Sequence, residues 1–287
     1  MDTSIKSIRI EDAVNGYVDL VNHVLSNGRP AAPRGFNTLE IEDAVIHIDN
    51  IFAALPLGVG RGTVPGIGAV EACQLLGGVS TPETVIAVGP QFKNYAEDNG
   101  VFHGAYGRRT NGQYEFAIEK LKNDRDTRQA VVTIWNPEYD NQEGKRDYPC
   151  TVLHQFRIRD NKLNMSVYMR SNDVWLGAAY DFFQFTRVQL AMCSVLAIEP
   201  GTYAHHVGSL HIYESNFVSA QNLKKTEVVE NVPAIYGDTW NDVKESAILA
   251  LNSVRDASLR DQLSAQERWY ANAMITAIAK NEKKEAS

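Results

Sequence analysis

The chain has 287 residues, 44% of them hydrophobic and 22% charged, the composition of an ordinary globular protein with enough apolar material for a sizeable core. Its formal net charge of -7 argues against a nucleic-acid polymer as partner, because such proteins usually carry a basic face, but it still allows a small phosphate held by a local group of arginines. Met1-Asp2-Thr3-Ser4 lacks the basic flank and apolar run of a leader, and the longest apolar stretch, around Leu190 to Ile198, is far short of the roughly 18 residues of a membrane span.

In chain order, Glu11 to Leu25 has helical spacing of apolar positions and stops at Asn27-Gly28. Arg29 to Asn37, rich in Pro, Gly and Arg, is expected to be a loop, and Leu39 to Ile48 alternates like a strand. Gly68 to Leu76 is a short buried helix and Tyr114 to Leu121 an amphipathic one. Ala130 to Ile134, Thr151 to Ile158 and Leu163 to Tyr168 are expected strands, the last two joined by a turn at Asp160-Asn161. Asp181 to Ile198 is a long, largely apolar helix, and Tyr203 to Tyr213 is mixed. From Thr239 to Lys284 the periodicity is helical, and Asn281 to Ser287 is expected to be a frayed, solvated tail. Strands and helices without strict alternation, with no repeat or linker, point to a single α+β domain over 1–287.

Three cysteines without metal-ligand spacing fit a reducing cytoplasm, and no metal is expected. Cys73 and Cys193 lie in apolar helical surroundings, where a thiol is buried and inert. Cys150, in Tyr148-Pro149-Cys150, sits just before a strand. A cysteine there is ordinarily structural; a nucleophile needs a nearby cation to hold the thiolate and a polar pocket for a substrate. The segment Arg170-Ser171-Asn172-Asp173 is the candidate source of both.

Pro149-Cys150, Gln155-Phe156, Arg170 to Asp173, Leu176-Gly177 and His206 to Tyr213 (HVGSLHIY) resemble the core motifs of thymidylate synthases, in that family's order and spacing. Tyr95 to Gly107 and Asn123 to Asn136 resemble its active-site tyrosine and phosphate-arginine segments, so the likeness covers roughly residues 15 to 220. The resemblance implies a thymidylate synthase-like fold, a mixed β-sheet packed with helices, and a homodimer formed through the sheet. It also implies a pyrimidine nucleotide substrate and 5,10-methylenetetrahydrofolate as co-substrate. Cys150 would attack ring carbon 6, with Arg170 keeping it ionised and Tyr106 nearby. Glu71 would order water and move protons; otherwise it is an exposed helix position. Arg34, Arg170 and Ser171 would hold the phosphate, with Arg128 reaching in from the second subunit. His211 and Tyr213, on one face of a strand, would meet the sugar hydroxyl, and Asp173 the pterin ring.

Departures from the family pattern bear on the substrate. Where synthases have Asn in Pro-Phe-Asn, this chain has Ala179-Tyr180-Asp181. An Asn amide suits uracil O4 and N3-H, whereas Asp181 can accept from the cytosine amino group and supply a proton at N3, as in the cytidylate hydroxymethylases of this superfamily. Alternatively Asp181 caps the helix that follows. Phe92 and Tyr95 stand where synthases tend to have shielding tryptophans, and the chain ends in a polar stretch without an apolar seal, which favours water as the acceptor of the new carbon. Gln129, Thr151 and Ser209 also replace common family residues. The expected reaction is therefore conversion of dCMP to 5-hydroxymethyl-dCMP. Methylation of dCMP or dUMP, hydroxymethylation of CMP, and a non-catalytic nucleotide- or RNA-binding role remain as alternatives.

Overall fold

The computed structural model describes residues 6–286. Residues 1–5, with the Met1–Ser4 stretch expected to lack the features of a leader, and Ser287 of the expected tail lie outside the described residues. The strands are β1 (Lys6–Asp12), β2 (Arg29–Ala31), β3 (Thr38–Asn50), β4 (Ala130–Thr133), β5 (Thr151–Arg159), β6 (Lys162–Met169), β7 (Asn172–Asp173) and β8 (Glu199–Tyr213). They form one mixed sheet in the order β1-β3-β8-β6-β5-β4, with β2 paired to β3 and β7 to β8. The helices are α1 (Asn15–Asn27), α2 (Pro65–Gly77), α3 (Pro82–Val88), α4 (Tyr106–Thr110), α5 (Gln113–Asn123), α6 (Pro137–Asp140), α7 (Ala178–Leu196), α8 (Phe217–Gln221), α9 (Trp240–Arg255) and α10 (Ala265–Glu285). This is the expected α+β arrangement, an open mixed sheet packed against helices.

Alternation sets the two faces of the sheet. Along β5, Thr151, His154, Phe156 and Ile158 are buried against the helices, while Gln155 and Arg157 on the other face stay half-exposed. The β5–β6 hairpin turns through Asp160 and Asn161, both with left-handed backbone (φ 51° and 57°), the conformation that two-residue hairpin loops demand and that these residue types tolerate. α7 is buried along nearly its whole length, and α2 is enclosed by α7, α9 and α10. Gly66 permits that enclosure: a Cβ there would come within 2.7 Å of the Ala273 carbonyl oxygen of α10.

Several expectations change. Glu11 and Asp12 belong to β1, which pairs in parallel with β3, and the helix starts only at Asn15. The Asp12 carboxylate accepts from the Val14 and Asn15 amides (2.7 Å each), satisfying N-H groups at the strand-to-helix corner. Arg29 to Asn37 is not all loop, since β2 pairs with Thr38–Glu40 and only its tip, carrying Arg34, is irregular. The mixed segment at Tyr203 to Tyr213 is part of a single 15-residue strand, because β3, β6 and β7 all pair with it. Residues 281–285 are helix rather than frayed tail, and Asn281 Nδ2 anchors them by donating to the Ala87 and Val88 carbonyls at 3.0 and 2.9 Å.

Arg187 of α7 is fully buried, without an acidic partner among the described residues. Its guanidinium donates to the carbonyls of Ile51 and Val232 and lies over the Phe183 ring at 5.1 Å. It thus joins the end of β3 to the segment leading into α9. Removing it leaves buried carbonyls without donors, so Arg187→Leu should lose about 3 kcal/mol of stability, measured as a lower urea midpoint at unchanged slope.

Candidate functional site

Cys150 stands at the start of β5, where the end of β6 delivers Arg170 beside it. The Arg170 amide donates to the Cys150 carbonyl (2.9 Å), and its guanidinium donates to the Pro149 carbonyl (3.1 Å) and approaches the Cys150 sulfur at 3.6 Å. The planar group also lies over Trp135 at 5.9 Å. Burial pushes the thiol up; Arg170 and Arg34 pull it down, while Asp181 and Asp147 push it further up. Cys73 and Cys193 are pushed up mainly by burial, in helices and without a basic neighbour that lowers them.

Two carboxyls reach the same site from crossing helices. Asp181 lies in the first turn of α7, 8% exposed, and Glu71 lies midway along the largely apolar α2. Asp181 is pushed up to about 7 by burial, against hydrogen bonds from Gln184 (3.0 Å) and Asn172. Glu71 is pushed up to about 8, by burial and then by Asp181, with Arg61 opposing. Two nearby carboxyls in a desolvated site resist simultaneous ionisation. Asp181 is not the helix cap, which is Gly177; a side chain at Gly177 would collide with Asn172 Oδ1 at 2.9 Å and approach Asp181 Oδ2 at 3.2 Å. Nor is Glu71 an exposed position.

Tyr106, at the start of α4, accepts from the Thr151 amide at 3.3 Å and is held protonated by burial and by the charges of Asp181 and Cys150. Arg34, at the tip between β2 and β3, is exposed and close enough to affect the thiol. Asp173 of β7 is opposite His211 of β8, with Tyr213 edge-on to His211 at 5.3 Å. Asp173 Oδ1 accepts from the Trp175 and Leu176 amides (2.8 and 3.1 Å), whereas Oδ2 is buried without a partner among the described residues. Such an acceptor fits a donor from a bound molecule. Ser171 lies half-buried between Arg170 and β7. Ser209 donates to Glu40 and lies 3.5 Å from His211 Nδ1, which gives this departure a place beside the histidine.

Arg128 is elsewhere. It lines a cleft of about 320 Å³ with Gln155, Arg157, Arg159, Asn164 and Thr202, apart from the Cys150 site. Gln129, its neighbour, is exposed and accepts from Lys120 Nζ at 3.4 Å. Among the described residues no cluster of His, Cys, Asp and Glu is arranged to hold a metal ion, and no helix is long and apolar enough to cross a membrane.

Arg61 and Asp147 escaped sequence reasoning. Arg61 donates to the Trp175 and Leu176 carbonyls and to the hydroxyls of Tyr17, Thr63 and Tyr180, and it is the cation facing Glu71. Its signal was the run Gly58-Val59-Gly60-Arg61-Gly62, whose three glycines have φ of 76°, 87° and 74°. Asp147 accepts from the Gly104 amide at 3.2 Å and ties the loop before Tyr106 to the segment before Cys150; nothing in the spacing marks it.

The thymidylate synthase family profile matches residues 15–261. The chain belongs to the thymidylate synthase family. The chemistry of that family is one-carbon transfer to a pyrimidine nucleotide with methylenetetrahydrofolate as co-substrate. A deoxyuridylate hydroxymethyltransferase of Bacillus phage SP01 is 30% identical over 238 residues, 77% of this chain and 60% of the phage protein. A protein of Methanothermobacter marburgensis, provisionally described as a thymidylate synthase, is 28% identical over 229 residues, 76% of this chain and 97% of its own length.

Folding raises the Glu71 carboxyl from 4.5 to about 8, so the folded chain keeps a proton that the unfolded chain has released. Stability therefore declines as pH rises from the lower value to the higher. Glu71→Gln should remove this decline. Urea unfolding should show a gain on the order of 1–3 kcal/mol at pH 8 and little change at pH 4.

Proposed function

We propose that the protein converts dCMP, methylenetetrahydrofolate and water to 5-hydroxymethyl-dCMP and tetrahydrofolate. The observation that carries this reading is Asp181, a buried carboxyl near Cys150 whose pKa of about 7 leaves both protonation states accessible. In its neutral form it offers a donor to cytosine N3 and an acceptor to the cytosine amino group. Cys150 adds as thiolate to ring carbon 6, which makes carbon 5 nucleophilic, and the Asp181 proton at N3 offsets the charge driven into the ring. The folate supplies a carbon at the oxidation level of formaldehyde. Glu71 receives the proton leaving carbon 5 through water, and loss of the cysteine restores the ring once water has added to the exocyclic carbon. Arg34, Arg170 and Ser171 hold the phosphate, His211 and Tyr213 the sugar, and Tyr106 lies against the cysteine segment. Asp173 Oδ2 receives an N-H of the pterin.

Support for a hydroxymethyl product comes from the named activity of the phage relative. The same relative's name favours a second reading, hydroxymethylation of dUMP, since a neutral carboxyl can be turned to match uracil as well. Incubation with dCMP, CMP and dUMP plus the folate, with products identified by mass, separates the readings. dCMP should give a hydroxymethyl product, and Asp181→Asn should shift the dCMP-to-dUMP ratio of kcat/KM towards dUMP by about 10³-fold. Conversion of dUMP alone by the unaltered protein would refute the cytosine assignment, and a methylated product with dihydrofolate would refute hydroxymethylation.

The homodimer belongs to the same reading. On the sheet face away from the helices, His47, Arg157, Tyr168 and His206 are half-exposed, with Tyr168 stacked flat on His206 at 4.4 Å. A second copy joined through this face would bring its Arg128 to the phosphate. Light scattering should give twice 31.9 kDa, and Arg128→Ala should raise KM for the nucleotide; an active monomer would overturn the arrangement.

A further inference from the structure

Three side chains meet across the β3–β8 ladder beside the site. Glu40 of β3 is directly opposite His211 of β8, and Ser209, two residues before His211, projects to the same face. Ser209 Oγ donates to Glu40 Oε1. His211 Nδ1 lies 3.3 Å from the Ser209 carbonyl oxygen and 3.5 Å from Ser209 Oγ. The other ring nitrogen, Nε2, makes no hydrogen bond among the described residues. Although His211 is only 8% exposed, Nε2 is not sealed from solvent as Asp173 Oδ2 is.

A hydroxyl has one proton, and so does a neutral imidazole. With the Ser209 proton committed to Glu40, Oγ presents only lone pairs to the histidine. The Ser209 carbonyl can only accept as well. Both neighbours of Nδ1 are therefore acceptors, which puts the imidazole proton on Nδ1 and leaves Nε2 a bare acceptor. Without the Glu40 oxygen, the Ser209 hydroxyl is free to turn its proton towards Nδ1. The imidazole proton would then move to Nε2, and the ring would present a donor to the site instead.

We propose that Glu40 and Ser209 are positioning residues that fix the His211 tautomer, so that Nε2 accepts from the 3'-hydroxyl of the nucleotide sugar. The proposal rests on the reading of His211 as a sugar contact and adds the polarity of that contact: the group that meets it must be a donor. Glu40 reaches the ligand only through Ser209 and His211, and its part is to remove the one rotation that would reverse the ring.

The test measures dissociation constants for dCMP and dUMP and for their 2',3'-dideoxy analogues, which lack only the 3'-hydroxyl. Calorimetry at about pH 8 stays above the usual imidazole range. The unaltered protein should prefer the hydroxylated nucleotide by about tenfold, and Glu40→Ala should cut that preference about fivefold, through weaker binding of the hydroxylated nucleotide alone. Glu40→Gln, which keeps an acceptor oxygen, should retain most of the preference. Combining Glu40→Ala with Ser209→Ala should restore it, because no hydroxyl remains to reverse the ring and the backbone carbonyl still holds the Nδ1 proton. Damage to packing would instead weaken both nucleotides and deepen in the double variant. Thermal unfolding identifies the variants that fold. Full preference in folded Glu40→Ala, or no recovery in the folded double variant, overturns the positioning role. Equal binding of hydroxylated and dideoxy nucleotides by the unaltered protein overturns the sugar assignment of His211. Because binding is read with both bases, neither result depends on which base the protein turns over, and the failures are distinguishable.

Discussion

The organising constraint is the burial of two carboxyls, Glu71 and Asp181, where α2 crosses the first turn of α7 above the cysteine strand. Water would stabilise both charges, and its exclusion raises both pKa values into the neutral range. The surrounding polar groups follow from that exclusion. Arg61 faces Glu71, and Gln184 donates to Asp181. The same desolvation works against Cys150, which relies on Arg170 and Arg34 to favour its thiolate. Groups that reduce stability at the centre are held by the well-packed apolar helices around them, a division between site and scaffold common in enzymes.

The fold was legible wherever one local pattern decided it. The hairpin from Thr151 to Tyr168, the buried α2 and α7, and the helical C-terminal region all follow from periodicity and turn chemistry that act over a few residues. What escaped was pairing at a distance. β1 becomes a strand by lying parallel to β3, β2 by folding back on it, and Tyr203 to Tyr213 by being held in β8 between neighbours on both sides. The polar end of α10 looked like a tail because its charges conceal the single anchor, Asn281 on the carbonyls of Ala87 and Val88.

The candidate site was legible through motif order, which located Cys150, Arg170, Asp181 and Glu71 before any geometry was known. The structure brings these together with Arg34 and Tyr106, pairs Asp173 with His211, and leaves Arg128 on another face. One residue that acts on the site through its charge was nearly hidden. Arg61 was signalled only by its glycines, whose unusual backbone lets one guanidinium reach three hydroxyls and two carbonyls.

Arg187 has a consequence for the order of assembly. Its carbonyl partners are 136 residues earlier in the chain, at Ile51, and 45 residues later, at Val232. While the chain is being synthesised, α7 can form and approach the sheet, yet its guanidinium has only part of its shell until the later segment has emerged. The full set of acceptors for the guanidinium of α7, the helix that also carries Asp181, therefore includes a residue that contributes no atom to the chemistry. A protein truncated before Val232 would contain every candidate catalytic residue and still lack one of the buried carbonyls that accept from the Arg187 guanidinium.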